Sequence, residues 1–241
     1  WMDPGTPGME QRHALRKNIL VEDLDVEGEA GRYKMTGSLQ EQGRHQLRIY
    51  HGFQNGLKGQ YFSDGYFENL ALERIDKVVN FTWGEGRLMA RGQDYITVRW
   101  SGAVYVDTSG DKFFKIDADD LSRLWVDGEL LIDHWHQQKS FFGAARSYYL
   151  EAGKLYDIVM EYMEITGDAY ARLMWGDSPE TVEVIPKERL YSLYEIQNSP
   201  VEITVVASNV ISPESTEATG DGLYAATVNE ESQFEFCPRD Q

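Results

Sequence analysis

The chain of 241 residues carries 23 Lys and Arg against 40 Asp and Glu, a formal net charge of −17, with 41% hydrophobic residues and one cysteine, Cys237. Acidity on this scale repels phosphate backbones and anionic lipid surfaces and favours cations, which excludes general nucleic-acid binding. The apolar content excludes a disordered chain, the longest apolar runs fall well short of the ~20 residues a spanning helix needs, and a lone cysteine excludes an intrachain disulfide.

Short alternating apolar runs, separated by Gly, Asp, Asn and Ser clusters, predict an all-β protein. Residues 1–55 are polar and charge-mixed, show no signal-peptide pattern, and predict a hairpin around Ser38–Gly43 leading into a strand at Arg44–Tyr50. Residues 56–194 hold five of the six tryptophans and most of the expected core. Strands are predicted there at Val78–Trp83, Tyr95–Val106, Lys112–Ile116, Arg123–Val126, Ser147–Leu150, Leu155–Glu164 and Ala169–Trp175. Asp127-Gly128 and Thr166-Gly167-Asp168 supply the positive φ angles of tight hairpins. Pro186–Leu190 predicts a single helical turn, with proline at an allowed first position. Residues 195–241 change character: Glu202, Glu214, Glu217, Asp221, Glu230, Glu231, Glu235 and Asp240 face only Arg239, around strands at Glu202–Val206 and Gln233–Phe236. A chain that starts at Trp1 and stops soon after Phe236 reads as a piece of a longer polypeptide.

The densest chemistry lies in Asp117-Ala118-Asp119-Asp120, predicted as an acidic loop between Ile116 and Leu121. Three carboxylates within four residues repel one another. A hard divalent cation such as Ca²⁺, with carboxylate, carbonyl and water ligands, is one answer to that repulsion; full solvation of an exposed loop is the other. Asp127 is expected to bond local backbone amides. His134 and His136 share a strand face, either as metal ligands or as two solvated imidazoles. Trp100, Trp125 and Trp175 are expected in the core, whereas Trp135 and Tyr148, nearer loop ends, offer faces for a sugar ring. Asp177 follows a strand end and is a further ligand-binding candidate. The chain holds no Gly-x-Ser-x-Gly, phosphate-binding loop or His-Glu-x-x-His, and no carboxylate pair singled out for hydrolysis, so no enzyme is expected.

An ordered series runs through the body: Gly56-Leu57-Lys58-Gly59-Gln60-Tyr61-Phe62, Asn80-Phe81-Thr82-Trp83, Val98-Arg99-Trp100-Ser101-Gly102, Asp119-Asp120, Arg123-Leu124-Trp125-Val126-Asp127-Gly128, Ile132-Asp133-His134-Trp135, Leu150-Glu151-Ala152-Gly153-Lys154-Leu155-Tyr156, Ala171-Arg172-Leu173-Met174-Trp175 and Ile185-Pro186-Lys187-Glu188-Arg189-Leu190-Tyr191. This series resembles the PA14 domain over 56–194. The resemblance implies an antiparallel β-sandwich. In sugar-binding members an Asp-Asp pair joined by a cis peptide helps to hold Ca²⁺, and Asp119-Asp120 matches it. The family pattern places Gly after the pair; here the residue is Leu121. The flanks carry a second likeness. Gly31–Met35 with Gly43–Tyr50 resembles the last strands of a filamin-type immunoglobulin-like repeat, and Ala218–Leu223 with Ala226–Phe236 resembles the first strands of one. These imply partial immunoglobulin-like β segments at both ends, 1–55 and 195–241, each cut short and with unpaired edges. Two functions follow as expectations. One is a binding or docking unit in a larger structural protein, cytoskeletal or ciliary, with other proteins as partners. The other is an extracellular, cell-surface adhesin holding Ca²⁺ at Asp119 and Asp120 and binding a glycan.

Overall fold

A computed structural model describes residues 19–23, 33–37, 42–89, 94–135, 144–206, 225–227 and 232–236. In chain order the strands are β1 (Ile19–Asp23), β2 (Tyr33–Gly37), β3 (Gly43–Leu47), β4 (Tyr50–Phe53), β5 (Leu57–Phe62), β6 (Leu70–Asp76), β7 (Asn80–Gly84), β8 (Ile96–Val106), β9 (Gly110–Asp119) and β10 (Leu121–Val126). They continue as β11 (Glu129–Asp133), β12 (Arg146–Leu150), β13 (Lys154–Glu164), β14 (Ala169–Gly176), β15 (Glu183–Val184), β16 (Leu190–Glu195), β17 (Val201–Val206), β18 (Ala225–Thr227) and β19 (Ser232–Phe236). A 3₁₀ turn at Lys187–Arg189, behind Pro186, is the expected helical turn. The chain divides into two compact units, the first containing residues 51–194 and the second formed by 11–50 together with 195–241.

The first unit is an antiparallel β-sandwich. Its larger sheet runs β11-β10-β13-β8-β16-β4, with β5 hydrogen-bonded to β8 and β6 to β5; its smaller sheet runs β12-β9-β14-β15, with β7 on β14. Period-2 alternation explains the core. Val98 and Trp100 of β8, Leu124 and Val126 of β10, and Ile158, Met160 and Tyr162 of β13 are buried in one cluster with Phe114 and Ile116 of β9 and Ala171, Leu173 and Trp175 of β14. Burying these side chains, at about 1.5–3 kcal/mol each, is the main force holding the sheets together.

Two turns bear on the expectations. Asp127 (φ 49°) and Gly128 (φ 72°) close the β10–β11 hairpin with both central residues at positive φ. Gly167 also has positive φ, but its turn joins no hairpin: β13 lies in the larger sheet and β14 in the smaller one, so the segment carries the chain across the sandwich. The expected loop Asp117–Asp120 is also corrected. Asp117, Ala118 and Asp119 continue β9, because they find partners along β14, and only Asp120 stands between strands.

In the second unit β2 pairs with both β1 and β19, and β3 pairs with β17, which pairs in parallel with β18. Strands from the two ends of the chain therefore fill one another's edges. Leu47, Ile49, Ile203 and Val205 are buried, with Gln46 bonded to Glu202 across the β3–β17 register at 2.7 Å. The expected hairpin at Ser38–Gly43 falls largely outside the described residues, and the strands on either side of it belong to different sheets. Among the described residues no helix is long and apolar enough to cross a membrane.

Candidate functional site

The chain crosses between the two sheets twice at one end of the sandwich. At Asp119-Asp120 it leaves β9 of the smaller sheet and enters β10 of the larger one; at Glu164–Asp168 it leaves β13 and returns as β14. Register brings the crossings side by side, since Leu121 pairs with Met163 and Asp119 with Tyr170. The Asp119-Asp120 peptide is cis. Leu121 follows as an ordinary strand residue and is not among the positive-φ positions, so its Cβ is accommodated.

Hydrogen bonds lock the crossings together. The backbone amide of Ile165 donates to Asp120 Oδ2 at 2.9 Å, and that of Thr166 to the same oxygen at 3.4 Å. The Tyr162 hydroxyl lies in hydrogen-bonding contact with the Asp119 carbonyl oxygen and, at 2.7 Å, with Glu164 Oε2. Tyr162 is fully buried and stacks on Trp83 at 5.9 Å. Its phenol is held far above the usual range, first by burial and then by Glu164.

The electrostatics are lopsided. Asp117 is neutralised by Arg172, whose Nη1 lies 2.6 Å from Asp117 Oδ2. Asp119 and Asp120 are half-buried. Glu164 is wholly buried, and its Oε1 has no hydrogen-bond partner. Burial pushes its carboxyl up to about 7, and the negative charges of Asp120, Asp119 and Asp94 push in the same direction, against the hydrogen bond from Tyr162. A single phenolic hydrogen faces two acceptors. The array is completed when Glu164 carries a hydrogen and donates it to Tyr162, which donates in turn to the Asp119 carbonyl.

This donor set is all oxygen, which suits a hard cation such as Ca²⁺ and not a softer metal. Among the described residues no group of three or more His, Cys, Asp or Glu is arranged to hold a metal ion. A cation here would take carboxylate oxygens from Asp119 and Asp120 and draw its remaining ligands from backbone, water or a bound molecule.

The other predicted site residues are not gathered at this point. Trp135 lies at the same end of the larger sheet but on its outer face, 4.4 Å from the Arg123 guanidinium and stacked on Phe67 at 5.8 Å. There it covers a buried ion network in which Glu161 receives Arg99 and Arg123. Asp177 stands at the other end of the smaller sheet, ion-paired with Lys112. Six registered positions separate Gly176↔Phe113 from Tyr170↔Asp119, a span of about 20 Å. His134 is pulled below its ordinary range by burial, and His136 lies outside the described residues. Sequence reasoning passed over Glu164. Its signal was parity: it shares the face of Ile158, Met160 and Tyr162, a carboxylate in step with core positions.

Comparison with known proteins fits this architecture. The family model for the PA14 domain matches residues 54–189, more than half of the chain. The chain belongs to the PA14 family. The chain is also 42% identical over 144 residues, 59% of its length, to the anti-sigma-I factor RsgI3 of Acetivibrio thermocellus. Two solved structures are similar. One is an anti-sigma factor domain-containing protein, 42% identical over 57% of this chain with a TM-score of 0.53. The other, from Clostridium clariflavum, bears the same description and is 36% identical over 57% of this chain, also with a TM-score of 0.53. The chain spans 22% of the RsgI3 sequence and 48% and 47% of the two solved chains.

Proposed function

We propose that the PA14 unit is a non-enzymatic ligand-binding module of a larger protein, and that its binding centre is the Asp119-Asp120 end of the sandwich, holding a divalent cation such as Ca²⁺. One observation carries the reading. Two half-buried carboxylates, Asp119 and Asp120, stand at the crossing beside the buried carboxyl of Glu164, which reaches the Asp119 carbonyl through the Tyr162 hydroxyl. The site gathers hard oxygen donors, two carboxylates and a backbone carbonyl, which is the chemistry Ca²⁺ requires. When bound, the ion would supply positive charge and open coordination positions for paired hydroxyl oxygens, which makes a glycan the favoured ligand class.

Relatives named as anti-sigma factors favour a regulatory protein as the setting. They lend nothing to a cytoskeletal or ciliary one. The immunoglobulin-like reading of the flanks draws its support from their mutually paired strands. Calorimetric titration of Ca²⁺ into the chelator-stripped protein tests the proposal. Saturable binding that is lost in Asp119→Asn/Asp120→Asn is expected. No binding to the wild type, or an unchanged isotherm in the double variant, removes the reading.

A further inference from the structure

We infer that Glu164 is a positioning residue of this centre, acting through the Tyr162 hydroxyl to set the Asp119 end of β9, and that it does so as a hydrogen-bond donor and not as a charge. The inference rests on the reading of Asp119-Asp120 as a cation site.

Three observations meet at Glu164. It is fully buried at the end of β13, where the chain leaves the larger sheet, and Oε1 is without a partner. A buried carboxyl with one unused oxygen is costly and calls for a reason. Its Oε2 meets a hydroxyl that also meets the carbonyl of Asp119. That carbonyl belongs to the peptide linking the two aspartates, so whatever orients it orients both carboxylates. Tyr162 has little freedom to fail in this task, because its ring is stacked on Trp83 and lies 6.4 Å from Trp100 in the core. The next residue along the chain, Ile165, donates its amide to Asp120. The end of β13 and the residue after it thus hold one aspartate through its carbonyl and the other through its side chain.

A directly ligating or charge-supplying Glu164 would behave differently from a donor. Glu164→Gln keeps the shape and presents an amide hydrogen to the Tyr162 oxygen while removing any negative charge. Glu164→Ala and Tyr162→Phe break the chain of hydrogen bonds at either link.

The experiment is calorimetric titration with Ca²⁺ alone on the full 241-residue chain, for the wild type and the three variants, with a thermal melt of each in chelator. The expected result is that Glu164→Gln binds within about threefold of wild type, whereas Glu164→Ala and Tyr162→Phe lose tenfold or more. Equal losses in Gln and Ala would overturn the donor role, since charge would then be what matters. Unchanged affinity in both Ala and Phe, with only the melting temperature moved, would reduce Glu164 to a packing residue and overturn the inference while leaving the cation site standing. If Glu164→Ala does not fold, Tyr162→Phe, which deletes a single oxygen, decides the matter. A wild type that binds no Ca²⁺ removes this inference together with the reading beneath it.

Discussion

Asp76→Asn tests whether buried polar geometry, and not hydrophobic burial alone, holds β6, β5 and β8 of the larger sheet together. Asp76 closes β6 with its carboxylate 6% exposed, amid Tyr61 and Trp100, both fully buried. Its Oδ2 accepts from the Tyr61 hydroxyl at 2.6 Å and from the Trp100 indole at 2.8 Å, and its Oδ1 accepts from Arg74 Nε at 2.7 Å. Arg74 also bonds the Tyr61 oxygen at 2.7 Å and lies over the Tyr61 ring. The Tyr61 phenol is accordingly raised well above its ordinary range, by burial first and then by Asp76. Asparagine has the same shape but one acceptor oxygen. If that oxygen faces Tyr61 and Trp100, its NH₂ meets the arginine; if it faces the arginine, the NH₂ meets two donors. Either way at least one charge-assisted bond, worth about 1.5–3 kcal/mol, is lost and a buried donor is left unsatisfied. The expected cost is about 3 kcal/mol, equivalent to roughly 10 °C in Tm for a unit of this size. Urea unfolding followed by tryptophan fluorescence measures it. A loss below about 1 kcal/mol would show that the network is incidental to stability and refute the reasoning.

Further outcomes follow from neighbouring observations. Glu161→Ala removes the fully buried partner of both Arg99 and Arg123 and is expected to cost about 3–5 kcal/mol in the same assay, because two cations lose their compensation. Gly59→Ala would place a Cβ 2.5 Å from Asp76 Oδ2, so it is expected to destabilise by about 1–3 kcal/mol through the same network. Metal-free stability should fall as pH rises. Glu164 shifts from an ordinary 4.5 to about 7 in the folded protein, so between those values the native state binds the extra proton and stability declines with pH. The full effect is on the order of 3 kcal/mol. Burial is the main cause, Asp120, Asp119 and Asp94 add to it and the hydrogen bond from Tyr162 opposes it; Glu164→Gln is expected to flatten the profile measured by thermal melts in chelator. Ile203→Asp buries a charge in the β3–β17 sheet; scanning calorimetry is expected to show loss of the second unit's transition while that of the PA14 unit stays in place.

The long strands were legible because alternation alone specifies them. Tyr95–Val106 and Leu155–Glu164 match β8 and β13 to within a residue, since eleven-residue runs leave little room for a slip of parity. Leu57–Phe62 and Leu70–Asp76 were quoted as motif or left unassigned: β6 is mostly exposed, so its pattern is weak, and its pairing with β5 shows only in three dimensions. The acidic segment was read as a loop because three aspartates disfavour a strand; Arg172, on a strand some fifty residues away in sequence, reverses that by neutralising Asp117. The Asp119-Asp120 pair itself was legible, and its cis peptide was implied by the family likeness. Glu164 was not, because its importance comes from a hydroxyl on its own strand meeting a carbonyl on another. The pairing of the chain's two ends was invisible for the same reason. Arg44 and Thr204 are cross-strand neighbours that no local pattern connects.

The proposed function stands on a divalent cation held at the Asp119-Asp120 end of this PA14 unit. A crystal structure of the protein grown in CaCl₂ tests it most directly. Density is expected for an ion bonded to carboxylate oxygens of both Asp119 and Asp120 at about 2.3–2.6 Å, the range for Ca²⁺ and oxygen. Well-ordered aspartates with only water between them, at saturating Ca²⁺, would contradict it.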